Sequence, residues 1–133
     1  MKLTSSRFGN LKDDRAVQLF TLSNENVTVK ISNYGAIITS IEMPDKDGNI
    51  ENVVCGFENL ESYISDEYLG SYPYFGAIIG RFGNRIAKGH LSIEGKTYAM
   101  AINNPPPQVV LNRGEIAQKL FDTETIETKK EVG

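Results

Sequence analysis

The chain has 133 residues, with 14 basic and 17 acidic side chains, a net charge of −3 and a single histidine. That length fits one domain able to bury about two thirds of its unfolded surface, and the charge balance excludes the strongly basic surface that nucleic acid or an anionic membrane selects. One cysteine, Cys55, precludes an internal disulfide.

From the N-terminus, Met1 to Ser6 lacks the apolar core of a signal peptide. No apolar run reaches the roughly 20 residues of a membrane span, so a cytoplasmic protein is expected. Val17 to Leu22 reads as a first strand, followed by a turn cluster at Ser23-Asn24-Glu25-Asn26. Val27 to Ile31 alternates apolar and polar residues, as a half-buried strand does. After Gly35 the pattern resumes over Ala36 to Met43. Pro44-Asp45-Lys46-Asp47-Gly48 is a turn, because proline fixes φ and glycine supplies a positive φ. Asp45 and Asp47 lack the later ligands of a calcium loop, so no metal is expected there. Ile50 to Cys55 reads as a further strand, with Cys55 a small buried hydrophobe.

Between Phe57 and Leu69, Leu60, Tyr63 and Ile64 recur at helical spacing. Any helix is expected here, with Glu58, Glu61, Asp66 and Glu67 forming a solvated face. Phe75 to Ile79 reads as a buried apolar strand. His90 to Met100 reads as a hairpin turning at Glu94-Gly95. Short strands with frequent turns argue for an all-β fold, an antiparallel β-sandwich.

The chemistry concentrates in Gly76-Ala77-Ile78-Ile79-Gly80-Arg81-Phe82-Gly83-Asn84-Arg85-Ile86. Glycines at this density mark backbone that turns or admits a close neighbour. The arginines bring fork-shaped donors suited to oxygen-rich ligands, and Asn84 both donates and accepts. Two readings follow from the residues alone. One is a site for sugar hydroxyls; the other is a buried bend whose arginines form structural ion pairs. The absence of Trp, a common sugar-stacking platform, weighs slightly against the first.

This stretch is flanked in order by Asn33-Tyr34-Gly35-Ala36, Pro44-Asp45-Lys46-Asp47-Gly48, Asn52-Val53-Val54-Cys55-Gly56-Phe57, Tyr74-Phe75, Asn84-Arg85-Ile86-Ala87 and Asn103-Asn104-Pro105-Pro106. The ordered set resembles the N-terminal part of the aldose 1-epimerase (galactose mutarotase) family. The resemblance runs over residues 15–106 and resumes in Lys119-Leu120-Phe121-Asp122-Thr123-Glu124. It implies a galactose-mutarotase-like supersandwich, present here as a single, incomplete domain over residues 1–133. It implies interconversion of the anomers of hexoses such as galactose and glucose, with no cofactor or metal. The family's Asn-Arg pair, which contacts sugar oxygens, matches Asn84 and Arg85, and the substrate-binding role carries over to those two residues only. Arg81 is given a structural role.

Other family features do not carry over. A Leu-His-Gly-Gly segment supplies a sugar-binding His in the family; by spacing its position falls on Val110, whose side chain has no polar atom. The block 107–118 departs from the family and is expected to be irregular. The family's acid, a His, and its base, a Glu, lie in a later part of a domain more than twice this length. No catalytic residue is therefore assigned, and His90 is expected to face solvent at a strand start. The chain is expected to be inactive alone, to have a hexose as its small-molecule partner, to bind neither nucleic acid nor membrane, and to self-associate through unpaired sheet edges. The alternative is a non-catalytic carbohydrate-binding or regulatory module.

Overall fold

A computed structural model describes residues 1–71, 73–79, 85–100 and 109–111. Its main element is a five-stranded antiparallel meander, in which every strand pairs with its predecessor in sequence. The strands are β1 (Lys2–Asn10), β2 (Ala16–Ser23), β3 (Thr28–Ser32), β4 (Ile38–Pro44) and β5 (Ile50–Asn52). Two short helices follow, α1 (Leu60–Tyr63) and α2 (Asp66–Ser71). Then come β6 (Arg85–Ala87), the hairpin β7 (His90–Ile93) and β8 (Lys96–Ala99), and β9 (Val109–Leu111).

Alternation along paired strands divides the meander into two unlike faces. The register sets Leu3 against Leu22, Phe20 against Ile31, Leu22 against Val29, and Val29 against Ile41. One face is therefore apolar. Yet Leu3 and Met43 are exposed, and Phe20, Leu22, Val29, Ile31 and Ile41 are only half-buried. The opposite face carries Lys30 against Ser40 and Glu42 against Asn52. A bulge at Thr39 sits between the Lys30–Ser40 and Ile31–Ile38 pairs.

The buried core lies at one end of this second face. Val17, Tyr34, Ile37, Leu60, Tyr63 and Tyr68 form one cluster, with Phe57 and Phe75 packed against it. Leu60, Tyr63 and Ile37 are essentially inaccessible, and burial of each contributes about 1.5–3 kcal/mol. The helices are short but capped. The Asn59 side chain accepts from the Ser62 amide at 2.9 Å, and Ser65 Oγ accepts from the Tyr68 amide at 3.2 Å. Glu58, Glu61, Asp66 and Glu67 are exposed, as the solvated-face reading requires. Asp66 pairs with Lys12 at 2.7 Å.

The fold is all-β, with the helices confined close to the expected segment; α2 extends two residues beyond it, to Ser71. Four local expectations are corrected. Strand β1 was not expected, because Leu3 and Phe8 are its only large apolar residues. The strand expected over 50–55 stops at Asn52. There the Val53 amide still donates to the Ile41 carbonyl at 2.9 Å, but Asn52 Oδ1 accepts from the Ile41 and Val54 amides at 3.0 and 3.1 Å, so a side chain takes the place of the next backbone acceptor and the chain leaves the sheet. Cys55 consequently lies exposed, not buried. Phe75 to Ile79 is a turn followed by non-strand backbone, and Ile78 and Ile79 are 46% and 53% exposed.

The hairpin at 90–100 is as expected. Glu94 and Gly95 take φ of 50° and 77°, the two positive values that a two-residue hairpin turn of this twist requires. In the block 107–118, expected to be irregular, Val109–Leu111 forms strand β9 beside β6. The rest of that block, and the strand start expected at 119–124, lie outside the described residues. Among the described residues no helix is long and apolar enough to cross a membrane.

Candidate functional site

The chain reaches its glycine-arginine motif through an anchored turn. Gly76 takes φ +62°, and a Cβ there would overlap the carbonyl oxygen of Ile38. The close approach is a hydrogen bond: the Ile38 amide donates to the Gly76 carbonyl at 2.9 Å. The Ile78 amide reaches back to the Gly35 carbonyl at 3.4 Å, so two turns clasp one another. Only glycine gives both the conformation and the clearance at position 76.

Two tyrosines reinforce this entry. Tyr68 Oη accepts from the Phe75 amide at 3.0 Å, and Tyr63 Oη accepts from the Phe57 amide at 2.8 Å. Burial pushes both phenols above their ordinary value, so they remain protonated hydroxyls. Their rings meet Phe57 edge-on, with centroids 5.1 and 5.3 Å away. Such geometry matches the ring quadrupoles and holds the wedge stiffly. A cavity of about 600 Å³ opens beside it, lined by Phe57, Tyr68, Pro73 and Phe75 together with Glu61 and Ser65.

The residues assigned to sugar contact follow this entry. Arg85 begins β6, where its backbone pairs with Leu111. The next pair is Ile86 with Val110. Position 110, the spacing equivalent of the family's sugar-binding His, thus lies one register step from Arg85. Asn84 and Arg81 lie outside the described residues, as does the Arg85 side chain. The hairpin β7–β8 follows β6, with Lys88 and Gly89 at φ of 56° and 66° in the turn between. His90 is exposed at the start of β7, as expected. Among the described residues, no three of His, Cys, Asp and Glu gather as a metal would need.

The aldose 1-epimerase family sequence model matches residues 18–132 and so takes in the whole motif. This chain belongs to the aldose 1-epimerase family. Galactose mutarotase of Sus scrofa is 42% identical over 107 residues, which cover 80% of this chain and 30% of that protein. Galactose mutarotase of Homo sapiens is 41% identical over 105 residues, covering 78% of this chain and 29% of the relative. The crystal structure of galactose 1-epimerase from Lactobacillus acidophilus NCFM superposes with a TM-score of 0.58 at 23% identity. It covers 77% of this chain and 28% of that one, and it supports the fold. This aldose 1-epimerase family chain therefore spans about three tenths of the length of the curated relatives it matches. Sequence reasoning missed the two tyrosine hydroxyls as anchors of the motif. The signal was available in the aromatic spacing of Phe57, Tyr63, Tyr68 and Phe75, but a hydroxyl that reaches a backbone amide leaves no mark in a sequence.

Proposed function

We propose that this chain supplies the sugar-contacting N-terminal strands of an aldose 1-epimerase acting on a free hexose in the cytoplasm. Asn84 and Arg85 are the residues that contact sugar oxygens. The observation that supports this most directly is the anchored turn at Gly76. Clasped to Gly35 and Ile38, it fixes where the backbone enters the donor-rich segment. A fixed entry limits the conformational entropy lost when donors meet a ligand.

Anomer interconversion opens the pyranose and closes it on the other face. One group takes the anomeric proton, another protonates the ring oxygen, and each contributes a hundredfold or more when positioned, by the usual order of magnitude (~10²). His90 is exposed, as are the carboxylates Glu58, Glu61, Asp66 and Glu67, and none of them forms an acid–base pair with it among the described residues. The side chain of Val110 has no hydrogen-bonding atom. These 133 residues alone are therefore expected to contact hexose weakly without accelerating mutarotation. Polarimetry on freshly dissolved α-D-galactose tests the second statement: a rate above the spontaneous one that survives repurification refutes it. The Arg85 Nε resonance tests the first: no shift on adding galactose refutes contact.

A non-catalytic carbohydrate-binding module is the second reading. The exposed position of the sole histidine favours it. Sugar binding that persists in a polypeptide carrying the whole family domain, without mutarotation, would select it.

A further inference from the structure

The polar face of the meander holds a second, unassigned cavity of about 410 Å³. That volume lies within the range of small-molecule sites, about 300–1,000 Å³. Its floor is a cross-strand cluster. Lys30 lies opposite Ser40, and Glu42 lies opposite Asn52, on three adjacent strands. Its walls include Phe8 and Phe57.

The cluster is held in place by its own contacts. Glu42 Oε1 accepts from Lys30 Nζ at 2.6 Å and from Ser40 Oγ at 3.1 Å. Both hydrogen bonds end on the same oxygen, and among the described residues Oε2 accepts from none. Asn52 is fixed the same way. Its Oδ1 accepts two backbone amides, which orients its Nδ2 as a donor in the residue that lines the cavity. A charged acceptor and an amide donor therefore stand side by side, each immobilised by other groups. The Phe57 ring is fixed too, wedged against Tyr63 and Tyr68 and tied through its amide to Tyr63 Oη.

We infer that this cavity binds a cyclic polyol, a pyranoside presenting a vicinal diol to Glu42 and Asn52 with its apolar ring face against Phe57. A diol fits because adjacent hydroxyls can donate and accept at once: one gives its proton to Glu42 Oε2, the other takes one from Asn52 Nδ2. A carboxylate ligand would meet Glu42 and Glu58, and an ammonium ligand would meet Lys30, so a neutral ligand suits the mixed charges. The inference rests on Glu42, Asn52 and Phe57 and does not depend on the role of Asn84 and Arg85.

The test is saturation-transfer difference NMR of the full chain with methyl β-D-galactopyranoside, which cannot mutarotate. A concentration of about 10 mM suits a site built from a few hydrogen bonds at a wet surface. The ring protons should receive saturation, and Glu42→Gln and Asn52→Ala should each lower the signal at least about threefold, since each removes a hydrogen bond. Amide shifts should fall on residues 30, 40, 42, 52 and 57. Cyclohexanol, with one hydroxyl, should show no dependence on either substitution. Circular dichroism identifies a variant that fails to fold, in which case the other variant decides. Absence of signal with the unaltered chain, a signal in a folded variant undiminished from that of the unaltered chain, or shifts confined to Arg85 would overturn the inference. The Arg85 Nε resonance reports the other site separately, so failure of one reading is distinguishable from failure of the other.

Discussion

The Ile38 amide donates to the Gly76 carbonyl at 2.9 Å, joining the start of β4 to the turn that precedes the glycine-arginine motif. A Cβ on residue 76 would collide with the Ile38 carbonyl, and φ +62° disfavours any side chain there. Gly76→Ala is expected to destabilise the chain by about 2–4 kcal/mol, combining left-handed strain with displacement of paired backbone. Urea unfolding measures this; a loss below about 1 kcal/mol would mean that the turn relaxes freely.

Tyr63→Phe removes the hydroxyl that accepts the Phe57 amide while keeping the ring. A part-buried N–H is left without its partner, at a cost of about 1–3 kcal/mol. The urea midpoint should fall with the slope unchanged. Tyr68→Phe should act similarly on Phe75, with increased proteolytic cleavage near residues 73–79 as its local sign.

The apolar face of the meander leads to an expectation about association. Phe20, Leu22, Val29, Ile31 and Ile41 line one half-covered face. Contiguous apolar surface of this kind favours assembly. The isolated chain is expected to sediment as oligomers, and Phe20→Lys to shift it toward monomer. Sedimentation velocity on both proteins decides; a wild-type monomer would remove the expectation.

Acid should weaken the polar face. The Lys30 ammonium holds the Glu42 carboxyl below its ordinary value of 4.5, with help from Ser40. A carboxyl depressed on folding binds more protons when unfolded. Its stabilisation is thus present above 4.5 and is lost as pH falls through the depressed value. The side chains are about a third exposed, so the effect stays below about 1 kcal/mol. Glu42→Gln should flatten this part of the pH–stability curve, while Asp13, Asp45 and Asp66, also depressed, keep the remainder.

Alternation and turn chemistry make most of the sheet legible in the sequence. Val27 to Ile31, the turn at 44–48 and the hairpin at 94–95 are all local features, and local features leave local patterns. Strand β1 did not, because an edge strand can be mostly polar and still pair. Residues 75–79 read as a strand because Phe75, Ala77, Ile78 and Ile79 are apolar, whereas Tyr74 and Gly76 take positive φ and the Gly76 carbonyl accepts from Ile38 of β4. Cys55 was misplaced for a similar reason: Asn52 ends the strand through its side chain, which propensity does not register. The motif at 76–86 was conspicuous from its composition, but its tyrosine anchors depend on tertiary distance alone.

The strict sequential order of the meander also bears on how the chain acquires its structure. Each strand meets the one just made, across connections of only a few residues, so every pairing through Asn52 closes a short loop. Such topology lowers the entropic barrier to assembly and lets the sheet form before the motif is threaded against it. During synthesis on a ribosome, the order of emergence and the order of pairing would coincide. The sheet would then stand as a template, with one greasy side awaiting cover, and that interval is when a chaperone would find most to hold.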